Sequence, residues 1–162
     1  MAELTTLESK IGEVIGLAMA AQDATEKVEG LLEDDELKPV LRRMREEAVE
    51  TEERTTRVAE NLDGKKTAIL EKAREVKREA TEMMSTYLGD DADELDGFEF
   101  LTMAEAGETG HWSIVGKLNE RAGNRELQEV VEWVKPIQDR HFRDVLEGSL
   151  TLAAEEDPNA PA

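Results

Sequence analysis

Apolar residues recur every three or four positions through almost the whole chain, and this spacing restricts the fold more than any other feature. Strict alternation of apolar and polar residues, which would indicate β-strands, is found nowhere. Only four prolines interrupt the pattern in 162 residues. Because the spacing matches one face of a helix, the sequence predicts an all-α fold built from long amphipathic helices.

Turn and capping residues divide this pattern into successive helical segments. Thr5 with Glu8 three positions later has the spacing of a capping box, and Asp34 and Asp35 predict a turn followed by an N-cap. The segments are expected to end near residues 33, 62, 88, 121 and 154. Residues 1–154 are therefore predicted to form a single helical-bundle domain, followed by a disordered acidic tail over residues 155–162.

The third segment, residues 65–88, is long enough to carry the chain from one end of a bundle to the other, since a helix rises about 1.5 Å per residue. We refer to it as the crossover helix. Its inward face is predicted to contain Ile69, Ala73, Val76, Ala80, Met83 and Tyr87.

Composition excludes several classes of function. The chain has no cysteine, which excludes disulfides, thiolate metal sites and thiol nucleophiles. Its formal net charge of -19 repels phosphate backbones, so nucleic acid is not an expected partner. Charged residues interrupt every apolar stretch, so no membrane span is predicted. The first residues lack the basic start and apolar run of a secretory signal, and a cytoplasmic location is expected.

Four polar residues occupy consecutive positions on the otherwise apolar faces of the last two helices. Glu108 and His111 lie on one helix, and Gln138 and His141 lie on the next. Each pair is spaced by three residues, so its side chains share a helix face. The turn near Gly123 makes the two helices an antiparallel hairpin, and the two pairs are expected at similar height. Both histidines of the chain belong to this predicted cluster.

Neighbouring residues suggest how such a cluster could be enclosed. Gly107 and Gly110 predict a close approach by another element, because glycine costs about 1 kcal/mol inside a helix. Trp112 and Phe142 directly follow the two histidines and are expected to wall the site. Pro136 is expected to bend the last helix just before the cluster.

Burying a carboxylate and two imidazoles without partners costs several kcal/mol. The cluster is therefore expected either to bind a metal ion or to form a metal-free hydrogen-bonded network, and the sequence leaves both alternatives open. Oxygen and imidazole ligands favour iron, manganese or zinc.

The arrangement resembles the ferritin-like four-helix bundles. An antiparallel helix pair, a long crossover and a second pair carrying Glu108-x-x-His111 and Gln138-x-x-His141 are similar to that family over roughly residues 5–154. Gln138 stands where the family pattern has Glu. The resemblance implies an antiparallel four-helix bundle in which the crossover helix separates the second and third bundle helices.

The resemblance also implies ligands from the first helix pair. Glu47 and Glu50 have the i, i+3 spacing on the second helix, and Gln22 lies near the corresponding height on the first. With the four cluster residues, Glu47 and Glu50 form the candidate metal ligands. The metal implied is iron or manganese.

Two hypotheses about function follow from these patterns. The first is a ferritin-like metal-binding protein acting in iron handling or oxidative-stress protection, with storage or binding favoured over rapid turnover. The second is a non-catalytic helical bundle with a metal-free polar core that acts through assembly or partner binding. A homodimer is expected in either case, and Met83, Met84 and Tyr87 on the crossover helix are a candidate dimer surface.

Overall fold

The computed structural model describes residues 2–33 and 35–162, and these residues form helices without any β-strand. The prediction of an all-α fold is confirmed. The helices in chain order are α1 (Thr6–Glu29), α2 (Lys38–Glu60), α3 (Lys66–Tyr87), α4 (Glu94–Ala122) and α5 (Arg125–Glu155). Helix α1 ends four residues before the expected position. Of the predicted turn residues, Asp34 lies outside the described part of the chain.

Helices α1, α4 and α5 begin at residues whose side chains cap them. Helix α2 follows Leu37 without a side-chain cap, so the prediction of an N-cap at Asp35 is wrong. The predicted capping box is present, because the Thr5 amide donates to the Glu8 carboxylate (2.8 Å) and the Glu8 amide donates to the Thr5 hydroxyl (3.2 Å).

Helix α4 ends at Gly123, whose φ of 70° is in the left-handed region that favours glycine. Asn124 then caps α5 by accepting from the Leu127 amide (2.9 Å). This short connection places α4 and α5 side by side.

Four of the helices pack in a ring in which α1 contacts α2 and α4, and α5 contacts the same two helices. Contacts between distant residues show that neighbours in the ring are antiparallel: Gln22 meets Glu52 across α1 and α2, and Thr102 meets Ser149 across α4 and α5. Helix α3 lies outside this ring, mainly against α1. The chain therefore returns along α3 before the second antiparallel pair begins.

The first half of α3 packs very closely on α1. A Cβ atom added at Gly12 would lie 2.9 Å from the Ile69 carbonyl oxygen, and one added at Gly16 would lie 2.5 Å from the Ala73 carbonyl oxygen. Only glycine permits this approach. The second half of α3 is more exposed than predicted: Met83 and Tyr87 are 55% and 57% exposed rather than inward-facing.

The apolar core consists of two clusters separated by a polar layer. One cluster includes Ile11, Val58 and Val115, and the other includes Val28, Met44 and Leu101. Between them along each helix lie buried polar and small residues instead of large apolar ones. We define the polar layer as Glu47, Thr51, Glu105, Glu108, Gln138 and His141.

No helix within residues 2–33 and 35–162 has both the length and the apolar character that crossing a membrane requires.

Candidate functional site

The polar layer brings together side chains from three helices. Helix α4 supplies Glu105 and Glu108, helix α5 supplies Gln138 and His141, and helix α2 supplies Glu47. The exposed fractions of Glu105, Glu108, Gln138 and His141 are 2%, 4%, 1% and 2%. Such deep burial of ionisable groups is rare unless they are paired or bind a ligand.

His141 lies between two carboxylates. Its Nδ1 is 3.6 Å from Glu105 Oε2, and its Nε2 is 3.8 Å from Glu47 Oε2. Both distances are too long for hydrogen bonds. They are within the range of ion pairs, which form only when the imidazole is protonated. The prediction that His141 is buried between polar groups is confirmed.

Glu47 is held by two arginines. Arg140 donates to both carboxylate oxygens of Glu47, and Arg43 Nε lies 2.9 Å from Oε1. Burial opposes ionisation of Glu47, but the hydrogen bond from Arg140 and the charges of His141, Arg140 and Arg43 outweigh it and lower the pKa of this carboxyl. Glu47 is therefore an ionised, compensated member of the layer.

Glu108 is in the opposite electrostatic situation. Burial and the nearby charge of Glu105 raise the pKa of Glu108 well above its ordinary value, and a hydrogen bond from Gln138 offsets only part of the rise. Ionised Glu108 therefore raises the free energy of the folded protein unless a proton or another cation accompanies it.

Several atoms of the layer are buried without a hydrogen-bond partner in the protein. They are Glu105 Oε2, Glu108 Oε1, Gln138 Oε1 and His141 Nε2. Buried polar atoms are nearly always paired, and leaving one unpaired costs about 1–3 kcal/mol. Every one of these atoms can also bind a metal ion, which makes the layer the candidate functional site.

The side chains do not surround a common point as they stand. Among residues 2–33 and 35–162, no group of three or more His, Cys, Asp and Glu side chains could hold a metal ion. The oxygen and imidazole donors present suit iron or manganese in their chemistry. These donor atoms are not arranged as a coordination sphere in this structure.

His111 lies outside the polar layer, contrary to prediction. Its Nδ1 is 2.8 Å from the Gly107 carbonyl oxygen, and its Nε2 is 3.5 Å from Glu13 Oε2 on α1. The side chain is 38% exposed. The expected pairing of His111 with His141 is therefore wrong.

Two other candidate positions also point elsewhere. Glu50 is 47% exposed on its side chain and pairs with Arg54 at 2.7 Å, so it lies on the outer face of α2. Gln22 donates to Glu52 at 2.5 Å and to the Ala18 carbonyl oxygen. Only Glu47, of the residues predicted from the first helix pair, reaches the layer.

Glu105 is the member of the layer that the sequence reasoning missed. The inward face of α4 predicted from the sequence included Glu108 and His111, whereas the buried face contains Glu105, Glu108 and Trp112. The two faces differ by one residue in register where Trp112 takes the place of His111. Trp112 could have indicated the correct register, because a large aromatic side chain gains more from burial than alanine or histidine.

The residues around the cluster only partly match expectation. Trp112 is fully buried and Phe142 is half-buried, and their place as walls of the site stays a prediction. Pro136 lies inside α5 as expected. Gly107 and Gly110, however, have nothing within 4 Å of an added Cβ, so no close approach explains them.

Comparison of the chain with protein-family models, with curated proteins and with solved structures gives no match.

Proposed function

We propose that this protein is a ferritin-like metal-binding protein whose polar layer takes up iron or manganese. The observation that carries the proposal is the set of buried atoms without partners on Glu105, Glu108, Gln138 and His141. A divalent cation bound between Glu105, Glu108 and Gln138 would satisfy the unpartnered oxygen atoms of these three side chains. It would also remove the electrostatic cost of placing Glu105 beside Glu108.

The ligands would be Glu105, Glu108 and His141, with the Gln138 oxygen as a neutral fourth donor. Binding requires the two carboxylates of α4 to turn toward His141, because the donors are not in a coordination sphere in the ligand-free chain. Glu47 is better suited to orienting His141, since its oxygens are already engaged by Arg140 and Arg43. His111 and Glu50 are not part of the proposed ligand set.

Bound iron or manganese would supply a redox-active centre able to react with oxygen or peroxide. The chain itself contributes burial, which excludes bulk water, and a carboxylate-rich environment, which favours a divalent ion. Of the three carboxylates in the polar layer, Glu105 and Glu108 lack a compensating arginine, so one ion suits the layer better than two. We therefore favour iron binding or protection against oxidative stress over rapid turnover.

The ring of α1, α2, α5 and α4 with α3 outside it supports the ferritin-like part of the proposal. A long segment connects two antiparallel pairs, as in ferritin-like bundles. The proposed location remains the cytoplasm. A homodimer through the exposed face of α3 also remains a proposal, and the exposure of Met83 and Tyr87 is consistent with it.

A second candidate is a metal-free bundle in which the layer serves packing specificity and the surface serves assembly or partner binding. The pairing of Glu47 with Arg140 and Arg43 favours it, because this carboxylate is satisfied without any metal. A proton on Glu108 would then replace the metal charge, in line with the raised pKa of that carboxyl.

Elemental analysis of tag-free protein prepared without chelators, followed by ferrous-iron titration in air, tests the proposal. We expect iron or manganese near one ion per chain. His141→Ala and Glu108→Gln should lose most of this metal. Glu50→Gln is the matched control, because it changes an exposed carboxylate on the outside of α2.

Unchanged metal content in His141→Ala, or no bound metal in the native chain, would overturn the proposal in favour of the metal-free bundle. In that case His141→Ala should only destabilise the fold, by about 1–3 kcal/mol, through the loss of a buried polar partner. Chemical denaturation with and without added Mn²⁺ separates the two outcomes, because only a binding protein is stabilised by the ion.

A further inference from the structure

A groove of about 580 Å³ lies between α1, α3 and α4, on the face where the second half of α3 is least buried. Its size is within the range of small-molecule pockets, which is roughly 300–1,000 Å³. Apolar and small side chains form most of its walls, including Leu17, Ala21, Val76, Ala80, Met84 and Leu101. The groove runs alongside the close packing of Gly12 and Gly16 against α3, because Lys72 and Val76 belong to both.

Two buried carboxylates contribute to the lining of this groove. Glu105 and Glu108 both line it, and each has an oxygen atom without a hydrogen-bond partner. They are 2% and 4% exposed, so solvent does not satisfy them. A mainly apolar pocket with a few unsatisfied polar atoms is the usual composition of a ligand site.

The charges along the groove favour a cationic ligand over an anionic one. Lys10 is paired with Glu13 at 2.8 Å, and Lys72 is paired with Glu75 at 3.0 Å. The lysines are therefore compensated by their own neighbours. Glu105 and Glu108 have no arginine or lysine partner within the described residues, and the basic group near them is His141, whose Nδ1 lies 3.6 Å from Glu105 Oε2. The net charge of -19 also attracts cations and repels anions.

We propose that the groove binds an amphipathic amine, with its hydrocarbon chain along the apolar walls and its ammonium group at Glu105 and Glu108. An ammonium group has three N–H donors, which suit the unpartnered carboxylate oxygens. Burial of the hydrocarbon chain along the apolar walls removes apolar surface from water and so favours binding. This proposal does not depend on metal binding, although the two sites share Glu105 and Glu108.

Isothermal titration with three probes of equal chain length tests the proposal: octylamine, octan-1-ol and octanoate, all in EDTA at one ionic strength. We expect octylamine to bind at least tenfold more tightly than the alcohol, and octanoate to bind most weakly. EDTA removes divalent ions, so failure of the metal proposal would not alter this result.

Matched variants locate the binding. Glu108→Gln should weaken the binding of octylamine at least tenfold and change the affinity for octan-1-ol by less than twofold. Glutamine keeps the shape of the side chain but removes its charge. Ala80→Phe should weaken both probes by filling the groove. If that variant does not fold, Ala104→Trp at the exposed rim serves the same purpose. Glu50→Gln should bind every probe like the native chain.

Adsorption of octylamine on the acidic surface would be weakened equally by Glu108→Gln and Glu50→Gln. That result would overturn the proposal, as would equal affinities for the amine and the alcohol. Tighter binding of octanoate than of octylamine would assign the groove to a carboxylic acid and would equally overturn it.

Discussion

Two carboxylates of the polar layer, Glu47 and Glu108, experience opposite electrostatic environments. Glu47, from α2, is bound by Arg140 and Arg43, and its pKa is lowered despite burial. Glu108, from α4, has burial and a neighbouring carboxylate, and its pKa is raised. The comparison shows that the negative charge of Glu47 is compensated by arginines of the same chain, whereas that of Glu108 has no such compensation.

The largest effect is expected at the compensated carboxylate. Glu47→Gln removes the carboxylate that accepts hydrogen bonds from Arg140, and the partly buried guanidinium then has no negative partner at this position. We expect the free energy of unfolding at pH 7 to fall by about 2 kcal/mol, as is typical for hydrogen bonds to charged groups. Urea denaturation in EDTA measures this change.

The same variant has a defined pH dependence. Because the folded-state pKa of Glu47 is lowered, its stabilisation is present above the ordinary value of 4.5 and is lost as the pH falls through the folded pKa. The difference between Glu47→Gln and the native chain should therefore shrink on acidification. A difference that stays constant from pH 7 to pH 3 would contradict the assigned role of Arg140.

A smaller effect of opposite sign is expected at the uncompensated carboxylate. The raised pKa of Glu108 means that its contribution to stability is complete below the ordinary value of 4.5 and is lost as the pH rises toward the folded pKa. Glu108→Gln cannot ionise, so in EDTA it should be more stable than the native chain at pH 8, by about 1 kcal/mol.

This gain should disappear near pH 4, where the native carboxyl is protonated. Denaturation curves for both proteins at pH 4, 6 and 8 provide the measurement. Destabilisation by Glu108→Gln at pH 8 in EDTA would show that the carboxylate has a compensating charge after all, and the contrast between the two carboxylates would then be lost.

The smallest effects are expected outside the layer. His111→Ala and Glu50→Gln change side chains that are 38% and 47% exposed, and each should alter stability by less than about 0.5 kcal/mol. Neither variant should change metal content. A loss of metal in His111→Ala would show that this histidine turns inward when the ion binds.

The sequence predicted most of α5 correctly and α4 less well. On α5, the spacing of Gln138 and His141 predicts that they share the inward face, and both are buried as expected. On α4, alanine, glycine and glutamate alternate around positions 104–110, so several registers satisfy the helical spacing. Helix α4 has the register that buries the aromatic side chain, so Trp112 lies in the core and His111 does not.

The pairing of Glu47 was beyond prediction from spacing alone. Its partner Arg140 is 93 positions away in the sequence, and many other acidic and basic residues lie on the same helices. Helical spacing identifies which residues share a face but not which charges meet across helices. Similarly, the outward position of Met83 and Tyr87 depends on how far α3 follows α1, which local patterns do not determine.

The glycine contacts on α1 also affect how the molecule opens. Gly12 and Gly16 hold the first half of α3 against α1 with no free space, whereas the second half has few buried side chains. Local opening costs least where little apolar surface is buried. The second half of α3 thus opens at a lower free energy than the first half, and its opening rate would control how quickly a molecule from solvent reaches the buried carboxylates.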